Sequence, residues 1–192
     1  MTREELSDAL NYVNSSREKR TRMSQIVMDN PHLIGPLIEI ALENKDPISS
    51  KASWVLEFTV KGKLEYLFPY IDLFADHLGK PNLDSSIRPF AKICECLCLC
   101  YFSKTTNACQ QILTDAHLEK IATACFDWLI GDHKVAAKAY SMTSLLLLGS
   151  KFSWIYEELQ LVLEQNYSSG SAAYKARARH TLARLKGLRK GN

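Results

Sequence analysis

The sequence predicts an all-α fold in which antiparallel helix pairs stack as an α-solenoid, or α–α superhelix. Hydrophobic residues recur with a period near 3.6 almost from end to end, and only residues 94–100 alternate in the manner of a strand. A pattern also appears four times, near residues 46–56, 84–94, 132–142 and 171–181. Each copy opens with a turn or capping residue, continues with an anchor (Ile48, Ile87, Val135, Tyr174) and places an alanine four residues later (Ala52, Ala91, Ala139, Ala178). The anchors lie 39, 48 and 39 residues apart, which is the length of a helical hairpin.

Each element has its own signal. Thr2-x-x-Glu5 is a capping box that opens a helix with the stripe Leu6, Leu10 and Val13; Ser15-x-x-Glu18 opens a second, carrying Met23, Ile26 and Val27. Asn30-Pro31 stops it, so residues 1–30 read as N-terminal capping helices. A third helix over 31–44 turns Leu33, Leu37, Ile40 and Ala41 inward, and Asp46-Pro47 restarts the chain with a cap and a proline at the first helical position. Outer helices over 63–78, 115–130 and 153–165 then alternate with patterned inner helices over 47–60, 85–102, 132–148 and 171–187. Pro36 and Pro69 fall early in two outer helices, where the amide they lack is partly an orphan of the first turn. The expectation is one helical-repeat domain over 1–192, with about four helix pairs in 31–187 and a basic tail at 188–192.

Composition narrows the class. With 46% hydrophobic residues among 192, such a chain can bury roughly 70% of its unfolded surface in one body. The start, Met-Thr-Arg-Glu-Glu-Leu, lacks the apolar core of a signal peptide, and the uncharged stretch 139–150 is too short to cross a bilayer. The expectation is a cytoplasmic protein without a membrane partner. Its six cysteines (Cys94, Cys96, Cys98, Cys100, Cys109, Cys125) are expected as reduced thiols.

The paired helices, the Asp at the turn within a pair (Asp46, Asp84, Asp132) and the small Ala one turn into the second helix resemble HEAT or armadillo-type repeats over residues 31–187. Ser171 replaces the Asp in the last copy; the basic residue that follows the anchor in such repeats is present as Arg88 and Lys175 and absent at Ser49 and Ala136. The whole chain also resembles a small family of helical-repeat proteins of about this length, some of which carry an adenylosuccinate lyase name. The phrases that carry this second likeness are Lys51-Ala-Ser-Trp-Val-Leu-Glu-Phe58, Ile87-Arg-Pro-Phe-Ala-Lys-Ile-Cys-Glu95 and Asp132-His-Lys-Val-Ala-Ala-Lys-Ala-Tyr140. The name would imply lyase activity. The lyase loop, Gly-Ser-Ser-x-Met-Pro-x-Lys-x-Asn-Pro, has as its nearest text Ser168-Ser-Gly-Ser-Ala-Ala173, without Met-Pro or Lys-x-Asn-Pro.

Candidate chemistry is sparse. On a helix, Cys94 and Cys98 share one face and Cys96 and Cys100 another, so they offer a metal at most a two-ligand half-site; the alternative is a buried helix with thiols as small apolar groups. None of the five histidines forms a His-x-x-x-His pair; His133, between Asp132 and Lys134, is the best placed, against the reading of a solvated first-turn residue. Trp54, Trp128 and Trp154 read as buried packing aromatics, with Trp54 beside Lys51 as the one attractive stacking site. Neither a catalytic set, a metal site nor a cofactor is predicted.

Charge is more informative. Residues 1–164 carry a net −4, whereas beyond Glu164 seven Lys and Arg stand without an acid, a polarity that suggests an acidic partner and also suits a polar terminal cap. In a solenoid the second helices line the concave side, so Lys51, Trp54, Arg88, Lys92, Lys134, Lys138, Lys175, Arg177 and Arg179 are the candidate binding surface. The expected function is a non-enzymatic scaffold that binds a protein or peptide there. The alternative is nucleic-acid binding through a basic groove, as in HEAT-like DNA alkylation-repair proteins, with lyase activity third.

Overall fold

The computed structural model describes residues 1–80 and 83–190 and contains no strand among them. The fold is all-α. Helix α1 (Arg3–Ala9) opens with the predicted capping box: the Thr2 hydroxyl accepts from the Glu5 amide at 3.2 Å, and the Glu5 carboxylate accepts from the Thr2 amide at 2.8 Å. A 3-10 turn, Leu10–Tyr12, completes the stripe, and Leu6, Leu10 and Val13 are all buried. Helix α2 (Arg17–Asp29) is capped by Ser16 rather than Ser15. The Asn14 carboxamide takes the Ser16 amide, which turns the chain one residue later and aims the Ser16 hydroxyl at the Lys19 amide.

Helix α3 (Ile34–Leu42) follows the 3-10 turn Pro31–Leu33 and stops short of Asn44, whose φ of 57° lies in the left-handed region that an asparagine tolerates. Helix α4 (Ile48–Gly62) has no side-chain cap: Pro47, expected as the first helical residue, is the N-cap residue, Asp46 accepts from the Ser50 hydroxyl, and the link to α3 is made by Ser49. Its hydroxyl accepts from the Lys45 amide at 2.9 Å and donates to the Ile40 carbonyl at 2.6 Å, which ties α4 to the end of α3. The expected helix over 63–78 divides into a 3-10 segment, Leu64–Tyr70, and α5 (Ile71–Leu78). Pro69 is the cause, since it has no amide to donate and would clash with the preceding turn of an α-helix.

Helix α6 (Asp84–Tyr101) carries the cysteine run, and α7 (Ala108–Ile112) is a short element that the periodicity does not reveal. Helix α8 (Asp115–Ile130) matches expectation. Helix α9 (Val135–Leu148) begins after Asp132, which is exposed and does not cap it. Helices α10 (Trp154–Gln165) and α11 (Ala172–Lys190) complete the chain, α11 being capped by the Ser171 hydroxyl, which accepts from the Tyr174 amide at 3.2 Å. Of the expected tail at 188–192, residues 188–190 belong to this helix and Gly191 and Asn192 lie outside the described residues.

The four patterned helices adjoin in order: α4 packs against α6, α6 against α9, and α9 against α11. Among the remaining elements α3 lies against α4, α5 against α8, α8 against α9, and α10 against α9 and α11. Buried apolar side chains form one cluster from Leu6 to Leu185, with Phe74 and Phe90 meeting edge to face at 5.8 Å. Ala52, Ala91 and Ala178 are fully buried as the repeat pattern requires. In the third copy Ala137 is buried and Ala139 is not. Helix α9 touches α6, α8, α10 and α11, so it buries several faces and its pattern has no single stripe.

The remaining expectations divide. Cys94 and Cys98 are buried in the middle of α6, as a core helix demands, and all six thiols are free. Trp128 is buried, Trp54 is half-buried, and Trp154 is exposed at the start of α10, where it stacks on Phe126 in place of entering the core. No described helix is long and apolar enough to cross a membrane.

Candidate functional site

The junction between α4 and α6 is the most elaborate polar feature of the molecule. Glu57, on α4, is almost fully buried, and Arg88 of α6 grips its carboxylate with two donors, at 2.6 and 3.4 Å. One turn away the Trp54 indole donates to the Ser85 carbonyl at 3.1 Å, and the Ser53 hydroxyl donates to that of Ser86 at 3.0 Å. Arg20, from α2, lies over the Trp54 ring at 4.7 Å, a cation–π contact worth about 1 kcal/mol. Its guanidinium is fixed by donation to the Asn14 and Ser15 carbonyls at 3.2 and 2.8 Å. Burial, and then the neighbouring Arg88 charge, lower the Arg20 pKa, with Glu57 opposing. Burial raises that of Glu57 against the pull of Arg88. The junction therefore holds two cations close together around one carboxylate.

The next two junctions repeat the theme with different partners. Lys92, on α6, sits over the Tyr140 ring of α9 at 4.7 Å and donates to Glu95 at 2.5 Å. Burial alone would lower the Lys92 pKa, but the Glu95 hydrogen bond and charge raise it on balance. Lys138, on α9, lies 5.9 Å from the Tyr174 ring of α11, and Arg177 of α11 returns a hydrogen bond to the Thr143 hydroxyl of α9. Each pair of adjoining patterned helices is thus bridged by a cation of one helix resting on a ring or acceptor of the other. Tyr174 Oη and Arg177 Nε at the α9–α11 junction, and Ser141 Oγ on α9, are buried without a hydrogen-bond partner.

A cavity of about 210 Å³ opens at the α4–α6 end of this row, lined by Arg20, Trp54, Ser85, Arg88, Lys134 and the loop residue Ser15. Asp84 also lines it, and its carboxylate is engaged by His133 Nδ1 at 3.2 Å. His133 is therefore a half-buried link between α6 and the start of α9, not a solvated first-turn residue. A second cavity, of about 250 Å³, lies at the other end between Lys138, Tyr174 and the 166–171 turn. Among the described residues no group of three His, Cys, Asp or Glu could hold a metal ion.

No family model, curated protein or solved structure matches this chain.

Of the residues expected to line a binding face, Trp54, Arg88, Lys92, Lys138 and Arg177 lie on the patterned helices, and Lys134 is the residue that precedes α9. Lys51 is turned toward the N-terminal segment, where it donates to the Asn11 carbonyl at 3.1 Å. Arg179 is bound to the Tyr167 hydroxyl at 3.3 Å on the α10 side, and Lys175 shares its helix face by i,i+4 spacing, so these two leave the row. Arg20 and Tyr140 were invisible as site residues in the sequence. Arg20 lies in an N-terminal helix outside the repeat pattern, and Tyr140 reads as an ordinary core aromatic. The Cys94 thiol is pushed far up by burial and by the adjacent Cys125, which leaves it a poor nucleophile. The Ser168–Ala173 text forms the turn before α11 and its first two residues, with Gly170 against the Tyr174 ring.

Proposed function

We propose that this chain is a binding module of HEAT or armadillo-like character, whose patterned helices line the concave side of a short solenoid and there hold an acidic segment of a protein or peptide. The observation that carries this reading is the row of bridging cations, Arg20, Arg88, Lys92, Lys138 and Arg177, three of them braced on Trp54, Tyr140 and Tyr174. Charges held by rings and carboxylates are pre-organised, so little side-chain freedom is lost when an anionic partner arrives. Complementary charge would steer the encounter and set register, and apolar ring edges would add contact area.

Nucleic acid is the second reading, because cations interleaved with aromatic rings also suit a single strand. It is the weaker one: Glu57 and Glu95 are buried and take up part of the charge of Arg88 and Lys92, which leaves separate cations rather than the continuous positive groove that tracks a strand. Fluorescence anisotropy with a labelled oligoglutamate peptide and a labelled single-stranded oligonucleotide, each titrated at low and moderate salt, separates the two. The peptide should bind more tightly, and Lys138→Glu with Arg177→Glu should weaken it by about tenfold or more. Tighter binding of the oligonucleotide, with a steep salt slope, would transfer the assignment to nucleic acid.

A further inference from the structure

We propose that the cavity bounded by Arg20, Trp54, Ser85, Arg88 and Lys134 is a phosphoryl-recognition pocket, and that it reads one phosphorylated side chain of the bound segment. The inference rests on the peptide-binding reading and adds to it the chemistry of one anchor.

Three cations converge on this cavity from three elements: Arg20 from α2, Arg88 from α6 and Lys134 from the entry to α9. A guanidinium has five N–H donors. Arg20 uses Nε and Nη2 on the Asn14 and Ser15 carbonyls, and Arg88 uses Nη1 and Nη2 on Glu57, which leaves three N–H groups on each without a protein acceptor. The Lys134 carbonyl accepts from the α9 backbone, and its exposed ammonium stands at the cavity without a hydrogen bond or ion pair among the described residues. Both guanidinium planes are locked, one by the Trp54 ring and two carbonyls, the other by the buried Glu57 carboxylate. Against these three positive charges stand two carboxylates, Glu57 beneath Arg88 and Asp84 at the rim, so the cavity keeps a net positive charge. Asp84, the other acid at the rim, is engaged by His133.

The unused donors, together with the net positive charge, select the ligand. A carboxylate brings one charge and two oxygens, whereas a phosphorylated side chain brings about −1.5 to −2 charges and three strong acceptors at neutral pH. Two forked guanidiniums and an ammonium suit the latter, since arginine pairs with phosphate through two parallel donors. The α6 N-terminus at Ser85 adds a favourable dipole at the same spot. A single such pocket, set in a row that carries Glu57 and Glu95, fits one phosphate on a peptide rather than the even series of a nucleic-acid strand.

The test uses the full chain and a fluorescent dodecapeptide of Gly, Ala and Glu with one central phosphoserine, beside its serine and glutamate counterparts. The phosphorylated form should bind about tenfold more tightly than the serine form. Lys134→Ala and Arg20→Ala should erase that preference, whereas Lys104→Ala, which removes one charge elsewhere, should keep it. Inorganic phosphate should compete for the phosphorylated peptide only. Arg88→Ala would strip Glu57 of its partner, so Arg88→Ala with Glu57→Gln is the variant to use there, and it too should lose the preference. If the three peptides bind equally and the variants weaken them equally, the pocket is not selective for phosphate while the acidic-segment reading stands. If no peptide binds in any form, both readings fall together.

Discussion

Among single side chains, Glu57 and Arg88 have the largest consequences. Glu57 is buried and its carboxyl is held above the usual range by desolvation, even with Arg88 in contact. A raised pKa means that the folded state binds this proton more tightly than the unfolded one. The contribution to stability is then present below the ordinary glutamate value and is lost as the pH rises through the raised value. Arg88→Ala removes the nearest opposing charge and should raise the Glu57 value further. At neutral pH that variant buries a carboxylate without its partner and should lose about 3 kcal/mol. In acid the carboxyl is neutral in both proteins, so the gap should narrow. Urea midpoints followed from neutral to acidic pH measure it, and adding Glu57→Gln should abolish the pH dependence; a gap unchanged by pH would mean that Glu57 is not the group responsible. The pair was half legible in the sequence. Arg88 stood out by its place after the anchor Ile87, but its partner did not, because pairing across two helices depends on register. Arg20 joins them through a helix that carries no repeat signal at all.

Helices were legible where burial repeats and obscure where a local contact overrules it. The long elements α4, α6, α8 and α11 could be placed because one face of each is apolar, and the Thr2 box because its two partners lie three residues apart. The break at Pro69 moves the start of the α-helix from 63 to Ile71, about two turns, and α7 has five residues, too few for a period to show. The third copy lost its alanine register because α9 has neighbours on several sides. Gly149 shows how such a neighbour acts. It ends α9 with an ordinary helical φ of −59°, so propensity alone would favour alanine there. The Tyr156 ring of α10 occupies the space that a Cβ would need. Gly149→Ala should therefore destabilise the protein by about 1–3 kcal/mol, and combining it with Tyr156→Ala should recover part of the loss. A thermal melt unchanged by Gly149→Ala would show that the ring moves aside at no cost.

Across the whole molecule, stability should be graded along the row of patterned helices. In an array where each unit touches only its neighbours, interior units are held from two sides and terminal ones from one. Helix α6 lies between α4 and α9, and α9 between α6 and α11, whereas α11 packs chiefly on α9 and α10. The basic end of the chain is concentrated in this last helix, where no acid offsets it after Glu164. The α9–α11 junction also contains the unpartnered Tyr174 and Arg177 atoms, and an unsatisfied buried group costs about 1–3 kcal/mol. Both effects make α11 the first helix to open. Native-state hydrogen exchange at rising denaturant should show α11 losing protection before α6 and α9, which should open together near global unfolding. Tyr174→Phe removes one orphaned hydroxyl and keeps the ring that supports Lys138, so it should leave stability unchanged or raise it by up to about 1 kcal/mol, with slower exchange confined to α11. Loss of stability in Tyr174→Phe would mean that the hydroxyl has a partner in solution, and exchange of α11 in step with α6 would mean that the row unfolds as one unit.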